Sequence, residues 1–374
     1  MIRLYAVRHM ESAEMIKMDP NRAELIPGKH FPANMKAPER IEILAELSKY
    51  GYTGVGDICL IDTSHSPDDI RLNYIIDKRW VLRFCNAPEM TETRLSELNR
   101  LIERYIRFGL KCPRFLADQN GRFFHDRNGL ICYLQEYIDL PTAYELKLEP
   151  QEEDRVWQEV LDSVAAFAEM FRNVDLSGTM GMYSLFDLAP YDIPVGKDEK
   201  QQNFESLCQA LDALGEAALA ARLQAKHTMI RDKIRSVYKE LPRCVFQADE
   251  NLSNVLVDEN RHLAGLIDFN MAGTEVIVNQ FANLGGGFKE SVTEPIGAGT
   301  RMQYAIDSYH KYQERMIRIY HATDLEKQAM KWYSWIALVA GWPQVCFFLD
   351  GLKTETLQSE ILELLSLLAD SSVD

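Results

Sequence analysis

The chain has 374 residues, 47% of them apolar, with 41 basic against 56 acidic side chains for a formal charge of −15. That length suggests two to three domains or one large two-lobed unit with an ample core, and the acidic balance argues against a general nucleic-acid binder. The seven cysteines are scattered and form no Cys-x-x-Cys pair, which argues against a disulfide framework or a structural zinc site and fits a reducing compartment. No apolar run approaches the length of a membrane span, and Met1-Ile-Arg-Leu-Tyr5 lacks the apolar core of a signal peptide. The expectation is therefore a cytoplasmic chain without a membrane partner.

In chain order, residues 1–38 carry Pro20, Pro27, Pro32 and Pro38 and read as an N-terminal extension with little regular structure. Within it, Leu4-Tyr-Ala-Val-Arg-His-Met-Glu-Ser12 resembles the opening of histidine phosphatases, where the His is phosphorylated. Here Met10 replaces the Gly that keeps such a phosphate site open, and no alternating strand–helix pattern follows. A short strand ending in solvated Arg8 and His9 is the reading. From Glu39, the spacing of Ile41, Ile43, Leu44 and Leu47 predicts a helix ending near Gly51. Strands follow at Asp57–Thr63, Ile70–Ile76 and Trp80–Phe84, with turns at Ser64-His-Ser-Pro-Asp-Asp69 and Asp77-Lys-Arg79. A helix from about Thr91 to Phe108 comes next, then Cys112-Pro-Arg-Phe-Leu116, a hairpin around Gln119-Asn-Gly121, and a strand from Leu130 to Ile138. After Pro141 the pattern turns helical, over 151–174, 201–215, 217–239, 300–321, 324–349 and 355–369, broken only by a strand-hairpin at 244–268. The fold class expected is α+β: a small lobe at 39–138 and a mostly helical lobe at 139–374.

The most telling stretch is Phe246-Gln-Ala-Asp-Glu-Asn-Leu-Ser-Asn-Val-Leu-Val257, with Leu266-Ile-Asp-Phe-Asn270 after a polar turn. An apolar run leads into Asp249, Asn254 opens a second one, and a third ends on Asp268. A loop and a hairpin would so bring two carboxylates and a carboxamide to one place. Phosphoryl transfer from a nucleotide needs such a set: a carboxylate to orient the acceptor hydroxyl and take its proton, and hard oxygen ligands for Mg²⁺. An Asp before a polar loop usually caps a turn; Asn254 and Asp268 favour the chemical role.

These residues resemble the catalytic and metal segments of the aminoglycoside phosphotransferase and choline kinase superfamily, a branch of the protein-kinase-like fold. The resemblance implies an ATP- and Mg²⁺-dependent phosphotransferase that moves the γ-phosphoryl of ATP to a hydroxyl of a small molecule such as an aminoglycoside, choline or a similar metabolite. It implies Asp249 as catalytic base and Asn254 and Asp268 as metal ligands. Trp80-Val-Leu-Arg83 is similar to the strand whose basic residue grips the phosphates, and Glu97 to the helical glutamate that orients it. Glu136, Tyr137 and Ile138 would form the hinge that meets adenine through backbone groups. The family pattern has His and Gly before the catalytic Asp, where Gln247 and Ala248 stand here. A kinase-like binding or regulatory protein with little turnover is accordingly the alternative. The aromatics Trp332, Tyr333, Trp335, Trp342, Phe347 and Phe348 could cage a cation, but at helical spacing they read first as core.

Overall fold

The computed structural model describes residues 37–54, 56–64, 69–127, 129–174, 176, 179, 181, 183–186, 197–288 and 295–373. The N-terminal extension with His9, apart from its last two residues, and most of the turn at 65–68 lie outside the described residues. The chain divides into two compact units: one holds the described residues up to Leu148 together with Asn251–Ile267, the other Glu149–Glu250 and Asp268–Asp374.

In the first unit, helix α1 (Arg40–Lys49) precedes strands β1 (Ile58–Asp62), β2 (Arg71–Ile76) and β3 (Trp80–Cys85). Helix α2 (Glu92–Phe108) separates these from β4 (Phe115–Leu116), β5 (Phe124–Arg127) and β6 (Leu130–Glu136). The strands form one antiparallel sheet in the order β1-β2-β3-β6-β4, with β5 also on β6. Alternation in β2 puts Leu72, Tyr74 and Ile76 inside, where Ile43 and Leu47 of α1 join them in the core. Arg127 anchors α1 from outside that core, reaching Glu46 and Glu42 at 2.7 Å each. Strand β5 escaped the sequence reading because Phe124-His-Asp-Arg127 carries little apolar signal; it exists because β6 offers it a partner edge. Helix α2 is legible from its ends, since the Thr91 hydroxyl accepts the Arg94 N–H and Gly109 closes it at φ +112°.

The same unit includes β8 (Val255–Val257) and β9 (Leu263–Leu266), an antiparallel pair. Gly265 lies against Lys111, whose N–H donates to Ala264 O at 2.9 Å and whose carbonyl accepts the Leu266 N–H at 3.0 Å. A Cβ on Gly265 would stand 2.1 Å from the Lys111 carbonyl oxygen, so only glycine permits this approach. Gly265→Ala should therefore destabilise by about 1–3 kcal/mol, the usual penalty of forced overpacking. Urea unfolding would report it as a lower midpoint at unchanged slope, and an unchanged midpoint would show that the two segments part at no cost.

The second unit is mostly helical. Its helices are α3 (Pro150–Met170), α4 (Glu199–Ala213), α5 (Ala217–Val237), α6 (Ile277–Asn283), α7 (Ala298–Ile319), α8 (Asp324–Ala340), α9 (Trp342–Leu352) and α10 (Gln358–Asp370). Its strands β7 (Arg243–Phe246) and β10 (Gly273–Val276) pair antiparallel. The hairpin expected through the turn at 258–261 is present as the β8–β9 pair, and β7 takes β10 as its partner. One sequence expectation is corrected here. The helix expected over 324–349 breaks at Gly341, which is extended (ψ 139°), and restarts with Pro343 in the first turn, where a missing N–H costs least. Against the expectation that no apolar run approaches a membrane span, Asp324–Leu352 is long and apolar enough to cross one by length and composition, yet it comprises these two helices and 67% of its most apolar part is buried within the protein. Of the aromatics read as core, Tyr333, Trp335, Phe347 and Phe348 are buried, whereas Trp332 is half-buried and Trp342 is exposed.

Candidate active site

Strand β7 carries the chain into the site. Its pairing of Phe246 with Gly273 and Val245 with Thr274 leaves Gln247 fully buried at the strand end. Ala248 follows with φ +66°, a left-handed conformation that an L side chain adopts at a cost of roughly 1 kcal/mol. Asp249 comes next, half-buried. Gln247 uses both ends of its amide: Oε1 accepts the Asp249 N–H at 2.8 Å, and Nε2 donates to the Asp268 carbonyl at 2.7 Å. One neutral side chain thus fastens the backbones of two carboxylate-bearing segments that lie far apart in sequence.

Asp268 is also left-handed, at φ +55°, and its Oδ1 accepts the Asn270 N–H at 3.4 Å. Asn254 is 7% exposed; its N–H donates to Asn251 O at 2.9 Å and its carbonyl accepts at 3.0 Å from Ile267, the residue before Asp268. The amide of Asn254 and the carboxylate of Asp268 are hard oxygen donors. Among the described residues no group of three or more His, Cys, Asp and Glu could hold a metal by itself. Carboxamide and carboxylate oxygens are the donor type that Mg²⁺ prefers, and it takes few ligands from protein and the rest from phosphate and water.

Arg83, 8% exposed, sits on β3 between its cross-strand neighbours Asn73 and Tyr133, and Glu97 is half-buried on α2. At the proposed hinge, the Glu136 N–H donates to Arg114 O and the Tyr137 N–H to Arg79 O, both at 2.9 Å. The Glu136 carboxylate is taken as well, by the Arg114 N–H at 3.0 Å and the Arg114 guanidinium at 3.3 Å. Of the three hinge N–H groups, that of Ile138 bonds no partner among the described residues.

The sequence reading missed a polar cluster behind Asp249. Burial, with the Asp249 charge beside it, pushes the Glu250 carboxyl up to about 7, and the Gln280 amide holds it at 3.0 and 3.2 Å. Burial likewise pushes Glu275 up to about 7 and Lys200 down to about 8. The Lys200 ammonium donates to Asn283 Oδ1 at 2.6 Å. Glu250 was visible beside Asp249, but Glu275, Gln280 and Asn283 fall in a stretch without legible periodicity.

The model of one protein family, described as the phosphotransferase enzyme family, matches residues 66–315, more than half of the chain. The chain belongs to the phosphotransferase enzyme family. Among solved structures, this family member resembles a microcompartment-associated aminopropanol kinase at a TM-score of 0.51 and 13% identity, covering 87% of this chain and 94% of that one. The streptomycin–ATP–APH(2")-IIa ternary complex aligns at a TM-score of 0.49 and 14% identity, covering 90% and 98%. At such identities the likeness concerns the fold alone, and the expected protein-kinase-like α+β fold holds. No curated protein sequence matches the chain.

Proposed function

We propose that this family member is a small-molecule kinase that transfers the γ-phosphoryl group of ATP to a hydroxyl of its acceptor. Family membership supports the reaction class, and the observation that carries the assignment of residues is the double hydrogen bond of Gln247 to the Asp249 and Asp268 backbones. Asp249 would hydrogen-bond the acceptor hydroxyl through a carboxylate oxygen, align it and receive its proton. Asn254 and Asp268 would hold Mg²⁺, which when bound supplies neutralisation of phosphate charge. Arg83, steadied by Glu97, would offer its guanidinium fork to phosphate oxygens, and the Ile138 N–H would meet the adenine edge beside Glu136 and Tyr137.

The test is thermal unfolding with and without Mg²⁺ plus ATP, in wild type and Asp268→Ala. At 100 times the dissociation constant, binding should add about 2.7 kcal/mol, a rise of about 5–10 °C, and the metal-dependent part should vanish in the variant. Multiple-turnover phosphorylation of any small alcohol would then exclude the alternative of a kinase-like binding protein. Absence of any shift with nucleotide would overturn the proposal.

A further inference from the structure

Helix α2 buries an apolar face that includes Leu95, Leu98, Ile102 and Tyr105. Apolar burial is non-directional, so it does not by itself stop a helix from sliding or rolling. Beside that face runs a polar stripe: Glu92, Asn99 and Glu103 stand at i, i+7 and i+11 and share one side of the helix. The Glu92 carboxylate accepts the N–H groups of Phe123 at 2.9 Å and Phe124 at 3.3 Å, where β5 begins. Asn99 meets Phe115 of β4 as a neighbouring strand would. Its Nδ2 donates to the Phe115 carbonyl at 2.7 Å and its Oδ1 accepts the Phe115 N–H at 2.8 Å. Because β4 closes the sheet order, this amide takes the edge that a further strand would pair. The Glu103 carboxylate accepts from the Arg114 guanidinium at 2.6 Å. Arg114 is also committed to Glu136: its N–H and guanidinium reach that carboxylate at 3.0 and 3.3 Å, and its carbonyl accepts the Glu136 N–H at 2.9 Å. The Glu103–Arg114 pair is solvent-exposed on both sides and contributes little alone, so the two Asn99 bonds to backbone set the register. Glu97 flanks the apolar face on its other side, about 140° around the helix from Glu92.

We propose that this stripe fixes α2 against β4 and the end of β6 before any ligand binds, which makes Asn99 and Arg114 positioning residues for the nucleotide. This deepens the phosphotransferase reading and rests on it for the roles of Glu97 and the hinge. A slide or swing of α2 that displaced Glu97 has to break both Asn99 bonds and the Glu103 contact together. Nucleotide therefore meets a helix already in place, and its binding does not have to order that helix.

The experiment pairs amide hydrogen exchange over residues 92–115 with calorimetric titration of ATP in the presence of Mg²⁺, on the full chain well below its melting temperature. In wild type, exchange across α2 should be the same with and without nucleotide. Asn99→Leu keeps the volume and deletes both bonds. Without nucleotide, its α2 and Phe115 amides should exchange about tenfold faster, and nucleotide should slow them again. Leucine is a better helix former than asparagine, so faster exchange does not come from propensity. The dissociation constant for ATP should rise about tenfold, as when one chain in about ten holds the competent position, with kcat at saturating ATP unchanged. Arg114→Met, which releases Glu136, should raise the dissociation constant in the same direction. Should the leucine variant fail to fold, Asn99→Asp keeps the acceptor, loses the donor and gives the same comparison. Wild-type exchange in the variant, or faster exchange at an unchanged dissociation constant, reduces the stripe to a feature of stability and overturns the proposal. A wild-type α2 whose exchange slows tenfold on binding nucleotide overturns it too. Absence of nucleotide binding by wild type overturns the phosphotransferase reading instead, and exchange in ligand-free Asn99→Leu then decides the stripe alone, wild-type rates again refuting it.

Discussion

Asp249→Asn should lower kcat about 10²–10⁴-fold, the usual contribution of a positioned general base, while the nucleotide-dependent thermal shift persists. The substitution keeps the shape of the side chain and its place in the loop. The loop is held in part through the backbone, by the Asp249 N–H on Gln247 Oε1, and the substitution leaves that bond in place. An asparagine can still orient a hydroxyl, but it cannot take the proton. The decisive comparison is single-turnover transfer in the two proteins: near-normal rates in the variant would remove Asp249 from the chemistry, and a lost thermal shift would show a wider collapse of the site.

Gln247→Leu should be the second most damaging change, and for a different reason. It preserves volume in a fully buried position but deletes both hydrogen bonds, to the Asp249 N–H and the Asp268 carbonyl. Loss of partners for such backbone groups costs about 1–3 kcal/mol. The loss falls where the chain is already strained, since Ala248 and Asp268 both hold positive φ. Strained residues persist only while their surroundings over-determine them, so the leucine variant should let both segments relax and lower kcat with little change in nucleotide affinity. Gln247→His, which offers a donor and an acceptor on one ring, should recover much of the loss. Unchanged kcat in Gln247→Leu alongside a lowered melting temperature would mean that the clasp serves the fold only. The glutamine in place of the family histidine is thus compatible with a working site, because the task visible in the structure is one donor and one acceptor, which a neutral amide supplies.

Much of the small unit was legible. Alternation marked β2, the Thr91 and Gly109 caps marked α2, and the turn at Asp77-Lys-Arg79 marked the join of β2 and β3. Each of these is a local property, in which period, cap or turn chemistry is carried by neighbouring residues. The break between α8 and α9 was local too, with Pro343 as its sign, yet the helix expected over 324–349 ran through it. Strands β5 and β10 were not legible, because a short polar strand is stabilised by the partner edge it meets and not by its own composition.

The sequence by itself determined the fold class, most of the elements, and the three residues Asp249, Asn254 and Asp268 around which a phosphotransferase reading could be built. Only the tertiary structure decided that β7 pairs with β10, that the segment Asn251–Ile267 clusters with the sheet-bearing unit, and that Gln247 ties Asp249 to Asp268. It alone brought the Gln280 amide onto the Glu250 carboxylate. The physical reason is common to all of these. A hydrogen bond between groups distant along the chain is selected by which backbone edges and buried polar atoms fold to within 3 Å or so of each other. The sequence around either partner carries no trace of that selection.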